Sequence, residues 1–235
     1  MLCGALAATG ALATPLEYLN PVHRRALAHR WRCATPLQAY VAALHARRST
    51  PDGLFAAKLH WDQFVRVRAE LAAGPADRSV HATASWLLDW LFPEPRFIRI
   101  VRDDLDRQAV SYWRAQHSQR WSADPEDQDG ADPGDGATGG TDAEVPYSFE
   151  GIDRCRRAIE NGELGWERLL RAAKADPLVV SYEELASQFE ATIRRVAERI
   201  EPGLEIDVAT PPTRRLSDER SLELLERFRE ERRGP

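Results

Sequence analysis

The stretch whose residues could most clearly carry chemistry is RFIRIVRDDLDRQAVSYWRAQHSQRW. In it an apolar run ends in Arg102 and a helical pattern follows at once. An arginine at a strand end offers a rigid fork of donors that suits a phosphate group. Ser111, nine residues further on, can add a hydroxyl donor, and a helix N-terminus favours negative charge. The alternative is structural: Arg102 pairs with one of the nearby aspartates, and spacing alone favours this interpretation.

Apolar runs and helical patterns predict the elements that position these side chains. Three runs, at 54–59, 96–101 and 177–182, have the length and boundaries of buried strands. Helical patterns begin near 35 and 181 and cover 79–90, 103 or 104 to about 121, 149–173 and 217–231. Capping boxes mark the starts at Thr35 and Ser181, and the second of these helices carries apolar residues as far as Val196. Strands that alternate with helices predict an α/β fold with a parallel sheet, whose ligands lie at the C-terminal strand ends.

Composition and charge limit the class of protein. A chain of 235 residues can bury one core, which predicts a single domain over 1–235. Residues 122–146 contain eight acidic residues and no basic one, which predicts a mobile acidic loop. The net charge of −5 thus becomes +3 outside this segment, which suits an anionic small ligand but is too weak to indicate nucleic acid.

Cysteine and histidine usage gives no sign of a disulfide framework or a metal site. Cys3, Cys33 and Cys155 are scattered, without a CxxC motif or a His-Cys cluster. This pattern predicts reduced thiols in a cytoplasmic protein that holds no metal.

The first residues, MLCGALAATGALATPLEYLNP, are small and apolar. No Lys or Arg precedes Arg24, so the basic region of an export signal is absent, and the run is too short to span a bilayer. A short helix that stops at Gly10 is the better interpretation. One face of it would hold Leu2, Ala5, Leu6 and Ala8.

Several blocks resemble, in order, the bacterial trehalose 2-sulfotransferase family, which uses 3′-phosphoadenosine 5′-phosphosulfate as sulfuryl donor. They are ALAATG with PLEYLNP, TPDGLFAAKLHWDQF, RFIRIVRDDLDRQAVSYWRA, VVSYEEL, and PPTRR with ERFREE, and together they cover nearly the whole chain. The resemblance implies a three-layer parallel sheet flanked by helices, a carbohydrate acceptor and a homodimer.

The resemblance also implies roles for individual residues. Arg102 and Ser111 would bind the 3′-phosphate of the donor. Glu17 would be the general base that takes the proton of the sugar hydroxyl; otherwise it is a solvated loop carboxylate. The sugar acceptor would lie beside the neighbours of this glutamate, which are Pro15, Tyr18 and Asn20. One face of its pyranose ring would pack on the ring of Tyr18.

The segment KLHWDQF is more ambiguous. Lys58 would stabilise charge on the transferring sulfuryl group or the leaving phosphate, or it lies on the surface. Trp61 would stack on the donor's base, or it packs in the core. His60 is interpreted as structural, because nothing in the sequence pairs it with a nucleophile or a second ligand.

Two departures from the family pattern weigh against this interpretation. The family begins with a strand and a TPRSGST-like loop that cradles the 5′-phosphosulfate. Here Met1 to Leu6 resemble the helix after that loop, which predicts that the first strand is missing. Near the C-terminus, the sequence of this chain also differs from the one usual in the family; it reads RRLSDERSLELLERF. Arg214 and Arg215 in this segment could still reach phosphate. The alternative function is therefore an inactive binding or assembly protein; a nucleotide kinase fits less well, because GxxxxGK[ST] is absent.

Overall fold

A computed structural model describes residues 1–33, 36–73, 84–118, 145–208 and 219–234. Four of the sequence predictions lie wholly or mainly outside the described residues: the capping box at Thr35, the acidic loop at 122–146, the third helix beyond 118, and Arg214 with Arg215.

Two of the three predicted strands form a parallel pair. Strand β1 covers Ile98–Val101 and β2 covers Leu178–Ser181, and the register runs from Ile98 opposite Leu178 to Val101 opposite Ser181. The prediction of a strand at 54–59 is wrong, because this segment makes a single parallel bridge, between Ala57 and Leu16. Within the described residues the fold is therefore rich in helix, with a small two-stranded parallel sheet.

The described part of the chain contains ten helices. They are α1 (Leu2–Ala8), α2 (Pro21–Trp31), α3 (Leu37–Arg48), α4 (Trp61–Ala73), α5 (Ala84–Leu91), α6 (Leu105–Ser118), α7 (Phe149–Ala172), α8 (Tyr182–Ser187), α9 (Phe189–Ile200) and α10 (Glu219–Arg233).

The helix predictions are confirmed in outline and differ in three details. The face predicted for α1 is buried except at Ala8, which is exposed. The helix predicted from 181 is divided at Gln188, whose backbone leaves the helical region between α8 and α9. The sequence analysis also missed α2 and α4.

The helix starts follow ordinary capping chemistry. Asn20 caps α2 because its side-chain oxygen accepts from the N–H of Val22 at 3.0 Å, and Pro21 takes the first helical position. Ser181 caps α8 by accepting from the N–H of Glu184 at 2.9 Å. These caps fix where the chain leaves the site segment 15–20 and the end of β2.

Three apolar clusters hold the elements together. The largest joins α2 to α5 around Tyr40, Phe64 and Leu88. A second packs α1 and α9 against one face of the sheet around Val180 and Ile193, and a third joins α6, α7 and α10. The segment 15–20 is anchored in the first cluster.

Gly165 of α7 accommodates the ring of Trp61, and we expect Gly165→Ala to lower the free energy of unfolding. A Cβ at this position would lie 2.2 Å from Trp61 Cε2, so the ring must move. The expected loss is about 1–3 kcal/mol, as for other overpacked sites, and urea unfolding measures it.

Gly162→Ala is the matched control for this change, because it lies one turn away on the same helix. Its Cβ would meet Trp61 at 3.4 Å, an ordinary van der Waals contact. If the two variants were equally stable, Trp61 would not press on α7 at Gly165.

Candidate functional site

The single bridge at 54–59 has a direct consequence for the site. Leu16 pairs with Ala57, and the backbone N–H of Lys58 donates to the carbonyl of Leu16 at 2.9 Å. The residues that follow the bridge, Glu17 and Lys58, therefore lie side by side. Lys58 Nζ is 2.7 Å from Glu17 Oε1, so the two predicted residues form an ion pair.

The carboxylate of Glu17 is surrounded by hydrogen-bonding groups. His60 Nε2 lies 3.2 Å from Oε1, the oxygen that Lys58 also contacts. On the other oxygen, Gln63 Nε2 donates at 2.8 Å and Asn20 Nδ2 at 3.4 Å. A carboxylate accepts about four hydrogen bonds, so each oxygen of Glu17 is fully used. We call these five residues the Glu17 cluster.

The environment of Glu17 makes it strongly acidic. Burial alone would raise the pKa of this carboxyl, but the hydrogen bond to His60 and the positive charge of Lys58 outweigh it. They hold the pKa of Glu17 far below its usual value. Glu17 is thus ionised at neutral pH, and it is a weak base while its partners stay in place.

Two members of the cluster were not predicted as site residues. His60 was interpreted as structural for lack of a partner, but the structure pairs its ring with Glu17. Gln63 is only 3% exposed. Its signal in the sequence is its spacing from Val67 and Leu71, which places an amide on the apolar face of α4. A buried amide in that position requires a polar partner.

The predicted acceptor residues have different surroundings. Asn20 reaches Glu17 while it caps α2. Pro15 is buried. Tyr18 is 1% exposed and its hydroxyl donates to the carbonyl of Thr14 at 2.9 Å, so its ring has no open face on which a pyranose can stack. Of the three, only Asn20 presents a side chain to the Glu17 cluster.

Trp61 packs against the first apolar cluster. Its ring contacts those of Phe64 and Trp166, with centroids 5.6 and 5.3 Å away. This arrangement agrees with the core alternative, because the partly buried ring packs against the first apolar cluster.

Arg102 lies where the sequence predicted, immediately after β1. Its guanidinium stacks on the ring of Tyr182, 4.1 Å from the centroid, and Tyr182 follows β2 at the same end of the sheet. The expected pairing with an aspartate does not occur among the described residues: Asp104 and Asp106 pair with arginines of α7 and α10 instead. The Nε atom of Arg102 is buried without a hydrogen-bond partner in the described part of the chain.

Ser111 lies in the second turn of α6, the helix that starts three residues after Arg102, and it is exposed to solvent. Arg102 and Ser111 therefore belong to one β1–α6 unit. The Glu17 cluster belongs to the segments before α2 and at the start of α4.

Comparison with known proteins decides the family. The family model described as Stf0 sulphotransferase matches residues 1–231. The chain belongs to the Stf0 sulphotransferase family. Two curated relatives are both trehalose 2-sulfotransferases. The chain is 29% identical over 189 residues to that of Mycobacterium tuberculosis, and 29% identical over 181 residues to that of Mycolicibacterium smegmatis.

These matches cover 80% and 77% of this chain, and 66% and 62% of the relatives. The chain thus spans less than two thirds of the length of either relative. The activity of these relatives supports a hypothesis for this member of the Stf0 family.

Two other features are absent from the described residues. No group of three or more His, Cys, Asp or Glu side chains in these residues is arranged to hold a metal ion. No helix among them has both the length and the apolar character needed to cross a membrane.

Proposed function

We propose that this Stf0 family member transfers a sulfuryl group from 3′-phosphoadenosine 5′-phosphosulfate to a hydroxyl of a trehalose-like carbohydrate. The observation that carries the proposal is the 2.7 Å contact between Glu17 and Lys58. It unites the carboxylate implied for proton removal with the cation implied for the transferring group, although 40 residues separate them in the chain.

The chemistry assigned to the Glu17 cluster is removal of the acceptor proton. When bound, the donor supplies an activated sulfuryl group. The nucleotide phosphate would leave as the sugar oxygen attacks sulfur. Glu17 carries the proton-removal step, because a sugar hydroxyl is a poor nucleophile until its proton is being removed. Lys58 supports negative charge that develops on the sulfuryl oxygens or the leaving phosphate. Asn20 orients Glu17 and lies beside the acceptor. The backbone of Pro15 and Tyr18 lies on the same side of the acceptor site.

The 3′-phosphate is assigned to Arg102 and Ser111. The fit rests on two features of Arg102: an orphaned buried Nε atom and a guanidinium plane fixed on Tyr182. A phosphate supplies the acceptor oxygens that such a group requires. The three-layer sheet, a homodimer and a cytoplasmic location complete the proposal, on the strength of the family resemblance.

Nucleotide binding tests the role of Arg102. We expect Arg102→Met to raise the Kd for 3′-phosphoadenosine 5′-phosphate about 10–100-fold, because one charge-assisted contact is worth about 1.5–3 kcal/mol. Calorimetric titration of the two proteins measures the difference.

Arg96→Met is the matched control. Arg96 lies before β1, at the opposite strand end, and its guanidinium is 3.6 Å from Glu201. Equal Kd values for R102M and wild type would remove Arg102 from the donor site.

Transfer itself is tested with labelled donor and a panel of free sugars, with sulfated product identified by mass spectrometry. We expect a monosulfated disaccharide when trehalose is the acceptor. A chain that binds the nucleotide but sulfates no sugar would contradict the proposed enzyme and fit a binding role instead.

A further inference from the structure

We propose that the cleft along α2 binds a phosphate group carried by the sugar acceptor, and that Arg25 is the residue that holds it. This inference rests on the proposed sulfuryl transfer and names the class of acceptor, a carbohydrate phosphate. The cleft begins beside the Glu17 cluster and follows one face of the helix. Its described wall is formed by α2 and the two residues that come after it.

The first argument is the unbalanced charge of the segment that contains α2 and α3. Residues 18–51 include six arginines and no aspartate or glutamate, whereas the whole chain has a net charge of −5. This segment is therefore a positive region in a protein that is negatively charged overall. A surface of one sign attracts small ligands of the opposite sign and raises their local concentration.

The second argument is that most of these arginines lack the ion pairs that arginines form elsewhere in the fold. All three arginines of α9 pair with carboxylates. Of the six in 18–51, Arg24 alone has an acidic partner among the described residues, Glu70. The charges of the other five are thus not neutralised within the described part of the chain.

The third argument is the position of Arg25 on the helix. Cations are favourable near a helix C-terminus, which accounts for Arg30 in the last turn of α2. Arg25 lies in the second turn instead, and no acidic residue precedes it in the helix. Burial does not account for it either, because Arg25 is exposed to solvent. An external anion gives this cation a role that the fold itself does not.

The fourth argument is the direction of the Arg25 side chain. Its Nε atom donates to the carbonyl of Pro21 at 3.3 Å, so the guanidinium is turned back toward the start of the helix. Pro21 follows Asn20, whose side chain donates to Glu17 Oε2 at 3.4 Å. The terminal nitrogens of Arg25 form no hydrogen bond with a described residue, and they offer the paired donors that suit phosphate oxygens. A sugar whose hydroxyl meets Glu17 would bring its phosphate toward Arg25.

The cleft has room for such an acceptor. Its volume is about 980 Å³, within the range of about 300–1,000 Å³ that is usual for small-molecule sites. Pro21, Arg25, His29 and Arg32 line it at intervals of about one helical turn. None of the described residues that line the cleft is a carboxylate, so nothing in this wall repels a phosphate.

Direct binding tests the cleft without turnover. In calorimetric titrations of the full chain, we expect trehalose 6-phosphate to bind at least about 10-fold more tightly than trehalose. Arg25→Met should reduce this preference about 10-fold, because one charge-assisted contact is lost. Arg30→Met is the control, since Arg30 is exposed on the same helix but does not line the cleft. Equal losses in the two variants would mean that only the general charge of the helix matters, and would remove Arg25 from the site.

Initial rates separate this inference from the proposed sulfuryl transfer. With labelled donor, we expect the KM for trehalose 6-phosphate to lie below that for trehalose by a similar factor. A wild type that sulfates both sugars with equal KM and binds both with equal Kd would reject only the phosphate site. A wild type that sulfates neither sugar would reject the proposed function, and the titrations would still decide whether the cleft binds phosphate.

Discussion

Replacing Glu17 with glutamine should lower kcat for sulfuryl transfer by about 10²–10⁴-fold, the usual contribution of general base catalysis. The change removes one negative charge and keeps nearly the same shape. Lys58 then loses its ion-pair partner, and His60 loses the carboxylate that contacts its Nε2 atom. Initial rates with labelled donor and saturating acceptor measure the effect.

Glu70→Gln is the control for this substitution. Glu70 also forms an ion pair, with Arg24 at 2.5 Å, but its side chain is 45% exposed and lies on α4 outside the Glu17 cluster. We expect its kcat to match the wild type and both variants to bind the nucleotide normally. A Glu17→Gln enzyme with wild-type kcat would remove the whole Glu17 cluster from proton transfer.

The sequence could name Glu17 and Lys58 but could not show that they touch. Each was selected from a short block that resembles the family. Their contact depends on one bridge between Leu16 and Ala57, two residues far apart in the chain. The length, apolar content and boundaries of the run predicted a strand at 54–59, yet ladder formation requires a neighbouring strand in register. The structure provides only one paired position there.

His60 was missed for a related reason. A histidine is informative only with its partner, and the partner of His60 is 43 residues away. The two missed helices have separate causes. Helix α2 consists largely of Arg, His and Ala residues and has no clear apolar face, whereas α4 does have one, at Phe64, Val67 and Leu71.

The interpretation of Arg102 was open because local spacing and tertiary structure disagree. Three aspartates follow it within four residues, so a local ion pair was the simpler expectation. In the structure, packing of α6 against α7 and α10 brings other arginines to Asp104 and Asp106. Tertiary partners thus replace the local one, and the guanidinium of Arg102 stacks on Tyr182 instead.

Asp106 is a buried carboxylate shared by three arginines, and we expect Asp106→Ala to lower the free energy of unfolding by about 2–4 kcal/mol. Its side chain is only 10% exposed, and it contacts Arg156 of α7 at 3.1 Å and Arg232 of α10 at 2.9 Å. Arg229 approaches the same carboxylate at 3.6 Å. Without it, three cations lose their shared anion where α6, α7 and α10 meet.

Asp62→Ala isolates the effect of burial in this prediction. Asp62 is also a first-turn aspartate, on α4, so both variants lose the same interaction with a helix N-terminus. Its side chain is 66% exposed and its arginine partner is 3.8 Å away, so we expect a loss of at most about 1 kcal/mol. Urea unfolding with unchanged m-values measures both. If Asp106→Ala cost no more than Asp62→Ala, the three arginines would be held by solvent and packing, and the carboxylate would not be what ties α10 to the β1–α6 unit.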